Sequence, residues 1–308
     1  MLSRPDVLVL GGGGVLGEAW MMGVLAGVED ATGFDLRRCE HFVGTSAGSI
    51  VAAHLVAGER PRRPAETGTE IEPVAKSQPV NSLASIAQSA ARRAGGWALA
   101  AGASFAPLAL GVSAPGGAVL RATMLRRLPR PSTSLEGLKT NIEHSGARFD
   151  GRLRVVAVDR RNGKRVVFGS PRAPHAAVAE AVAASCSVPW LFAPVTIGDR
   201  EYVDGGVWSA SNLDAAPAGR DTHVLCLTPT ASLSGSQTIL SILRRVARTS
   251  VSLETMALRR RGAAVQNVAP NLECAATMGV NFMDREPRGR VLEAAYRQGL
   301  ALGSRDSD

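Results

Sequence analysis

Apolar residues in the first sixty positions fall into two alternating textures. Val7 to Leu10 is an unbroken apolar run, short enough for a buried parallel strand, and Gly11 to Gly14 interrupts it. Leu16, Trp20, Val24 and Val28 then recur every four residues, which marks one face of a helix. A second short strand is expected over His41–Val43, breaking at Gly44. A helix of small residues should follow from Ala47 to Ala57, with Gly58 as its stop.

The texture changes from Glu59 to about Arg130. Pro61, Pro64, Gly68, Pro73 and Pro79 predict an exposed linker. Ala94 to Leu120 then carries no charged residue. It is long enough to cross a bilayer, but eight glycines and prolines between Gly95 and Gly117 punctuate it, and Ala and Gly supply much of its apolar content. A helical cap or lid fits this composition better than an interfacial anchor or a span. Regular structure is expected again after Arg152. Leu153–Val158 and Arg165–Phe168 flank Asn162-Gly163, a hairpin signal, and Val195–Ile197 and Glu201–Val203 flank Gly198-Asp199. Between the hairpins a helix is predicted from Ala173 to Ser187, ended by Pro189. A buried strand follows at Val224–Leu227, then helical stretches over Ile239–Gln266 and Arg288–Leu302. No internal repeat is visible. Strands alternating with helices predict an α/β sandwich with a mainly parallel sheet.

Composition narrows the function classes. With 45% hydrophobic and 20% charged residues among 308, the chain is neither disordered nor a coiled coil. A net charge of +8, with arginines clustered at 60–63, 92–93, 126–127 and 259–261, is compatible with an anionic membrane surface. Aromatics are too few to interleave with these clusters as a stacking platform, so nucleic acid is not an expected partner. Cys39, Cys186, Cys226 and Cys274 are far apart and form no CxxC. Disulfides and metal sites are therefore not expected, and reduced thiols in a cytoplasmic protein are the simplest reading. The amino terminus carries only Arg4 before its apolar run and resembles a strand more than a signal peptide.

Two glycine-bearing turns carry candidate chemistry. Gly12-Gly13-Gly14-Val15-Leu16-Gly17 satisfies GxGxxG between a strand and a helix, with Asp35 and Glu40 at the distance of a ribose-binding acid. A dinucleotide site is one reading. Backbone N–H groups at the positive end of a helix can equally hold a transient oxyanion, and a purely structural turn would select the same glycines.

The second turn is Gly44-Thr45-Ser46-Ala47-Gly48. GxSxG between strand and helix puts a serine hydroxyl on a sharp turn at the carboxyl end of the sheet. Ser46 needs a base. A triad of Ser46, Asp204 and His223 would run in the right chain order, but His223 starts a predicted strand and His54 lies two helical turns beyond Ser46. Among acids, Asp150 stands in a polar, basic stretch and Asp159 in a turn. Asp204 ends a strand and is followed by Gly205-Gly206, which leaves backbone space beside a reacting group, so it is the best candidate.

The ordered set resembles the patatin-like phospholipase family. Its elements are Gly12–Gly17, Gly44–Gly48, Ala184-Ser185-Cys186-Ser187-Val188-Pro189 and Asp204-Gly205-Gly206. The resemblance spans roughly residues 6–300, without a matching motif around 60–150. It implies a three-layer α/β/α fold forming a single catalytic domain over 1–308, with residues 60–150 as linker and cap or lid insertion. It also implies Ser46 as nucleophile, Asp204 as its base, and the amides of Gly12, Gly13 and Gly14 as oxyanion hole. The expected substrate is a lipid acyl ester, cleaved with no metal and no cofactor and with peripheral contact to anionic membrane. Members often carry Arg or Lys where this chain has Leu16, which puts the geometry of that loop in question. A non-catalytic lipid-binding protein of the same fold, or a dinucleotide enzyme using Gly12–Gly17, are the rival classes.

Overall fold

The computed structural model describes residues 2–64, 117–128, 130–232 and 250–304. Chain order is β1 (Val7–Leu10), α1 (Gly14–Thr32), β2 (His41–Thr45), α2 (Ala47–Val56), α3 (Gly117–Arg127), α4 (Glu136–Ser145), β3 (Leu153–Asp159) and β4 (Arg165–Phe168). It continues with α5 (Val178–Cys186), β5 (Val195–Ile197), β6 (Arg200–Asp204) and β7 (His223–Leu227). The helical residues 250–260 (α6) follow, and β8 (Ala264–Val268), α7 (Leu272–Met278) and α8 (Arg288–Gly303) close the described chain.

Eight strands form one mixed sheet, paired in the order β5-β6-β3-β2-β1-β7-β8, with β4 also on β3. Its centre, β3-β2-β1-β7-β8, is parallel, and β4, β5 and β6 add antiparallel strands. Side chains alternate across a strand, and the core divides accordingly. Leu8, Leu10, Phe42, Leu153, Val155, Leu225 and Leu227 pack against α1, α2, α5 and α8 on one face. Val7, Val9, Val43, Val156 and Cys226 pack on the other against Leu213, Ala216 and Leu258 of α6. Both faces being covered explains why these strands read as continuous apolar runs, and the result is the expected three-layer α/β/α sandwich. Helix α1 lies deepest: Trp20 is fully buried and donates its ring N–H to Gln298 Oε1 at 3.0 Å, tying α1 to α8.

Two expectations need correction. The helix expected from Ala173 begins at Val178, because the segment before it folds into turns and Glu180 bonds back to the Ala177 N–H at 2.9 Å, marking the helix start. The helix expected over Ile239–Gln266 is described from 250 and ends at 260. Gly262 adopts φ 90° and turns the chain into β8, whose residues Ala264–Gln266 are extended. Only Val265 and Val268 of that strand are buried, so its alternation is too sparse to read. Helix α7 was also not anticipated. Leu135, Leu138 and Ile142 at α4 join the main core beside α2 and α5, whereas α3 packs Leu125 on Val158, Val203 and Val207. Residues 94–116 of the uncharged stretch and 239–249 of the expected helix lie outside the described residues. Among the described residues no helix is long and apolar enough to cross a membrane. All four cysteines are buried and unbonded to one another.

Candidate active site

Strand register brings the two candidate turns together. Val155 of β3 pairs with Gly44 and with Phe168, and Ala157 pairs with Val166 and with Asp204. Since β4 runs along one edge of β3, β2 and β6 share the other edge and approach from opposite directions. Thr45 stands opposite Val156 and Asp204 opposite the next residue, Ala157. The carboxyl ends of β2 and β6 therefore meet head-on, about one residue rise of ~3.3 Å apart along β3. Residues 158 positions apart in sequence become neighbours through a third strand.

Ser46 occupies the turn from β2 to α2 with φ 51° and ψ −124°, a conformation that residues with side chains rarely adopt. The flanking glycines make the turn sterically feasible. A Cβ on Gly44 would collide with the backbone of Ser49, and one on Gly48 with the carbonyl of Leu10. The Ser46 N–H donates to Ser185 Oγ at 2.9 Å, and that hydroxyl donates onward to the Val156 carbonyl at 2.6 Å. The turn is thereby held from α5 and β3 at once.

Asp204 is held from the same helix end, its N–H donating to the Ser187 carbonyl at 3.0 Å. Its side chain is fully buried. Oδ1 accepts the Gly206 N–H at 2.6 Å, whereas Oδ2 has no hydrogen-bond partner among the described residues. Burial pushes the carboxyl up to about 7; the Ser46 hydroxyl and the Gly206 N–H pull the other way and only partly compensate. The Ser46 hydroxyl is thus near enough to favour the carboxylate form. A carboxyl with pKa near neutrality and one free oxygen can take a proton at physiological pH. Gly205 is required by contact: a Cβ there would strike the Val156 carbonyl.

The glycine loop completes the cleft. A Cβ on Gly12 would sit 3.4 Å from that of Ser46, so the loop passes directly beside Ser46. Its three N–H groups are not equivalent. Gly12 donates to the Ala210 carbonyl at 2.8 Å, while the N–H groups of Gly13 and Gly14 have no acceptor among the described residues. Gly17 donates to the Gly13 carbonyl at 2.8 Å and packs against Pro229. Leu16 is buried in the core, and its N–H bonds the Phe282 carbonyl at 3.0 Å, so this position faces inward rather than toward the cleft. The amino ends of α1 and α2 both point their partial positive charge at the Ser46 region.

The competing residues lie elsewhere. His223 and His41 begin β7 and β2, at the opposite end of the sheet from Ser46, and His223 pairs with Asp6 at 3.6 Å. His54 bonds Glu59 at 2.8 Å. No histidine hydrogen-bonds Ser46 or Asp204 among the described residues. Asp150 pairs with Arg152 at 2.7 Å, and Asp159 serves its turn by accepting from Arg161, Asn162 and Arg200. Asp35 and Glu40 precede β2, a strand length away from the glycine loop, where neither can reach a ribose held there. No group of three His, Cys, Asp or Glu is placed to hold a metal among the described residues.

Sequence reasoning missed the polar floor of the site. Ser209, Ser211 and Asn212 are buried just after the Asp204 turn, and Glu254 of α6 accepts from Ser211 Oγ at 2.6 Å and from the Leu213 N–H at 2.8 Å. Burial pushes the Glu254 carboxyl upward. The run Ser-Ala-Ser-Asn reads as a solvated loop, and nothing local signals that a distant acid will cover it.

A family match covers residues 8–217 and is described as patatin-like phospholipase. A solved structure titled "Crystal structure of VipD from Legionella pneumophila" aligns at TM-score 0.41 and 14% identity, over 96% of this chain and 66% of that one. The chain thus spans just under two thirds of that protein's length. No curated protein matches it in sequence.

Proposed function

Because the chain belongs to the patatin-like phospholipase family, we propose that it hydrolyses lipid acyl esters through a Ser46–Asp204 dyad. The observation that carries this reading is the head-on meeting of β2 and β6. It sets a strained, glycine-flanked serine beside a buried carboxyl whose Oδ2 is unbonded and whose pKa is near 7.

Each step follows from the groups described. Asp204 Oδ2 takes the proton of Ser46 as Oγ attacks the ester carbonyl. The negative charge that develops on the carbonyl oxygen is met by the unpaired N–H groups of Gly13 and Gly14, supported by the helix amino ends. The role of Gly12 is different: its N–H belongs to Ala210, and its contribution is to let the loop lie against Ser46. Collapse expels the alcohol, which takes its proton from Asp204, and leaves the acyl group on Ser46. Asp204 then draws a proton from water as it attacks the acyl-enzyme, and Ser46 leaves reprotonated.

The substrate side is coarser. An acyl ester of a phospholipid, lysophospholipid or glyceride presents the same reacting carbonyl. The net charge of +8 supports peripheral contact with anionic membrane. Packing of α3 on Val203 and Val207 supports residues 60–150 contributing a cap beside the Asp204 turn. The test is hydrolysis of a short-chain nitrophenyl ester together with labelling by a fluorophosphonate probe. Ser46→Ala abolishes both, and Asp204→Asn lowers hydrolysis by on the order of 10²- to 10⁴-fold. A folded Ser46→Ala protein that still hydrolyses the ester at the wild-type rate overturns the dyad.

A further inference from the structure

The two reacting turns are joined by one side chain that neither motif contains. Asn212 is fully buried, eight residues beyond Asp204. Its Nδ2 donates to Ser209 O at 2.6 Å, to Thr45 Oγ1 at 3.1 Å and to Gly205 O at 3.2 Å. An amide nitrogen has two hydrogens, so one of these bonds is shared between two acceptors. The orientation of the amide is fixed by its surroundings. Three acceptors surround Nδ2, and Oδ1 faces the Arg165 guanidinium at 3.3 Å, so a flipped amide would oppose like to like at both ends. Thr45 immediately precedes Ser46, and Gly205 immediately follows Asp204.

We propose that Asn212 is a positioning residue that locks the turn bearing Ser46 to the turn bearing Asp204. The inference rests on the Ser46–Asp204 reading above. Asn212 touches neither the hydroxyl nor the carboxyl. It acts through the neighbours on either side of the gap, each one covalent step from a reacting residue. The loop that carries it is itself anchored. Glu254 accepts from Ser211 and Leu213, which flank Asn212, and Arg165 in turn is gripped by both oxygens of Asp214. Asn212 also holds φ 49°, a backbone conformation that Asn and Gly tolerate best. That coincidence of a left-handed backbone and a side chain with two donors and an acceptor selects Asn over every other residue. Without the clamp, the β2 and β6 ends remain paired to β3 but lose the cross-link that sets their spacing.

Asn212→Gly keeps the backbone conformation and removes the clamp together with the Oδ1 contact to Arg165, whereas Thr45→Val leaves that contact in place. Thr45→Val removes one acceptor while keeping the shape. Both are compared with wild type for nitrophenyl ester hydrolysis, with active sites titrated by fluorophosphonate and folding followed by thermal melt. The positioning role predicts that kcat of Asn212→Gly falls on the order of 10²-fold, the cost of a misplacement near 1 Å, with KM changed less than about threefold. It predicts a smaller fall in Thr45→Val and a double variant worse than Asn212→Gly by less than the sum. A purely structural role lowers the melting temperature but leaves kcat per titrated site unchanged, and that result overturns the proposal. If Asn212→Gly does not fold, Thr45→Val decides by the same split. Wild type that neither hydrolyses nor labels overturns the dyad and this role together, whereas wild type that does both beside an equally fast Asn212→Gly overturns this role alone.

Discussion

The turn after β2 and the turn after β6 are both fixed beside β3, but by different physics. Both end a strand beside β3, both are tied to the carboxyl end of α5, and both are followed by a glycine or two. Ser46 is partly accessible and is held in an unfavourable backbone conformation, with glycines placed where Cβ atoms would clash. Asp204 has ordinary φ of −49° and no access to solvent. In the proposed dyad the nucleophile is aimed by backbone strain, and the base is tuned by desolvation. The distinction follows from what each must meet. Under that proposal Ser46 has to reach a substrate carbonyl and so cannot be buried, whereas Asp204 needs only to exchange a proton with Ser46.

The largest effect should come from the glycines that permit the Ser46 turn. Gly48→Ala would place its Cβ into the carbonyl of Leu10 and within 2.8 Å of that of Gly11. Both contacts are backbone at the carboxyl end of β1 and the residue just after it, inside the sheet, and neither can move away cheaply. Overpacking of this kind costs about 3 kcal/mol or more. Gly48→Ala should therefore lose most soluble expression or melt far below wild type, as followed by circular dichroism. A variant as stable as wild type would mean that the turn tolerates a wider path, and that strain is not what aims Ser46.

An effect of opposite sign is expected at Asp204. Its folded pKa is raised from 3.8 to about 7, so the folded state binds this proton more tightly than the unfolded chain does. Stability must then fall as pH rises from about 4 to about 7, and the loss is complete above 7. Asparagine has no such proton to release. Asp204→Asn should gain several kcal/mol relative to wild type above pH 7 and little near pH 4, read from denaturant unfolding at both pH values. The same group gives wild-type hydrolysis an acidic limb: kcat/KM rises with pH to a midpoint near 7 and then levels. A stability difference indifferent to pH would show that the carboxyl is not held by desolvation.

How much of this was legible in the sequence depends on how local each constraint is. The Val7–Leu10 strand, the α1 stripe and the GxSxG turn are set by contacts within a few residues, and all three lie where expected. Asp204 was found because its glycines signal a close approach, even though the partner of that approach, Val156, is 48 residues away. The proximity of Ser46 and Asp204 was not derivable from spacing, since it depends on β6 reversing direction along the edge of β3 that β2 already occupies. Asn212 and Glu254 were not legible for the same reason: a polar loop becomes a buried network only when α6 closes over it. Strand β8 failed differently, because two inward valines among polar residues are too few to overrule a preceding helix.

The least effect belongs to Ser46 itself, and it separates strain from side-chain chemistry. Ser46→Ala and Ser46→Gly both remove the hydroxyl and should both be inactive toward ester and probe. They differ in backbone. Alanine keeps a Cβ at φ 51° and keeps the strain, so its stability should match wild type closely. Glycine relieves a cost of about 1–3 kcal/mol, less about 0.4–1 kcal/mol for the extra freedom of the unfolded chain. A net gain of ~1 kcal/mol is expected for Ser46→Gly over Ser46→Ala. Unlike the gain at Asp204, it should be the same at pH 4 and pH 8, because no proton is involved. Equal stability of the two variants at both pH values would place the serine turn at rest, leaving desolvation of Asp204 as the site's one departure from relaxed structure.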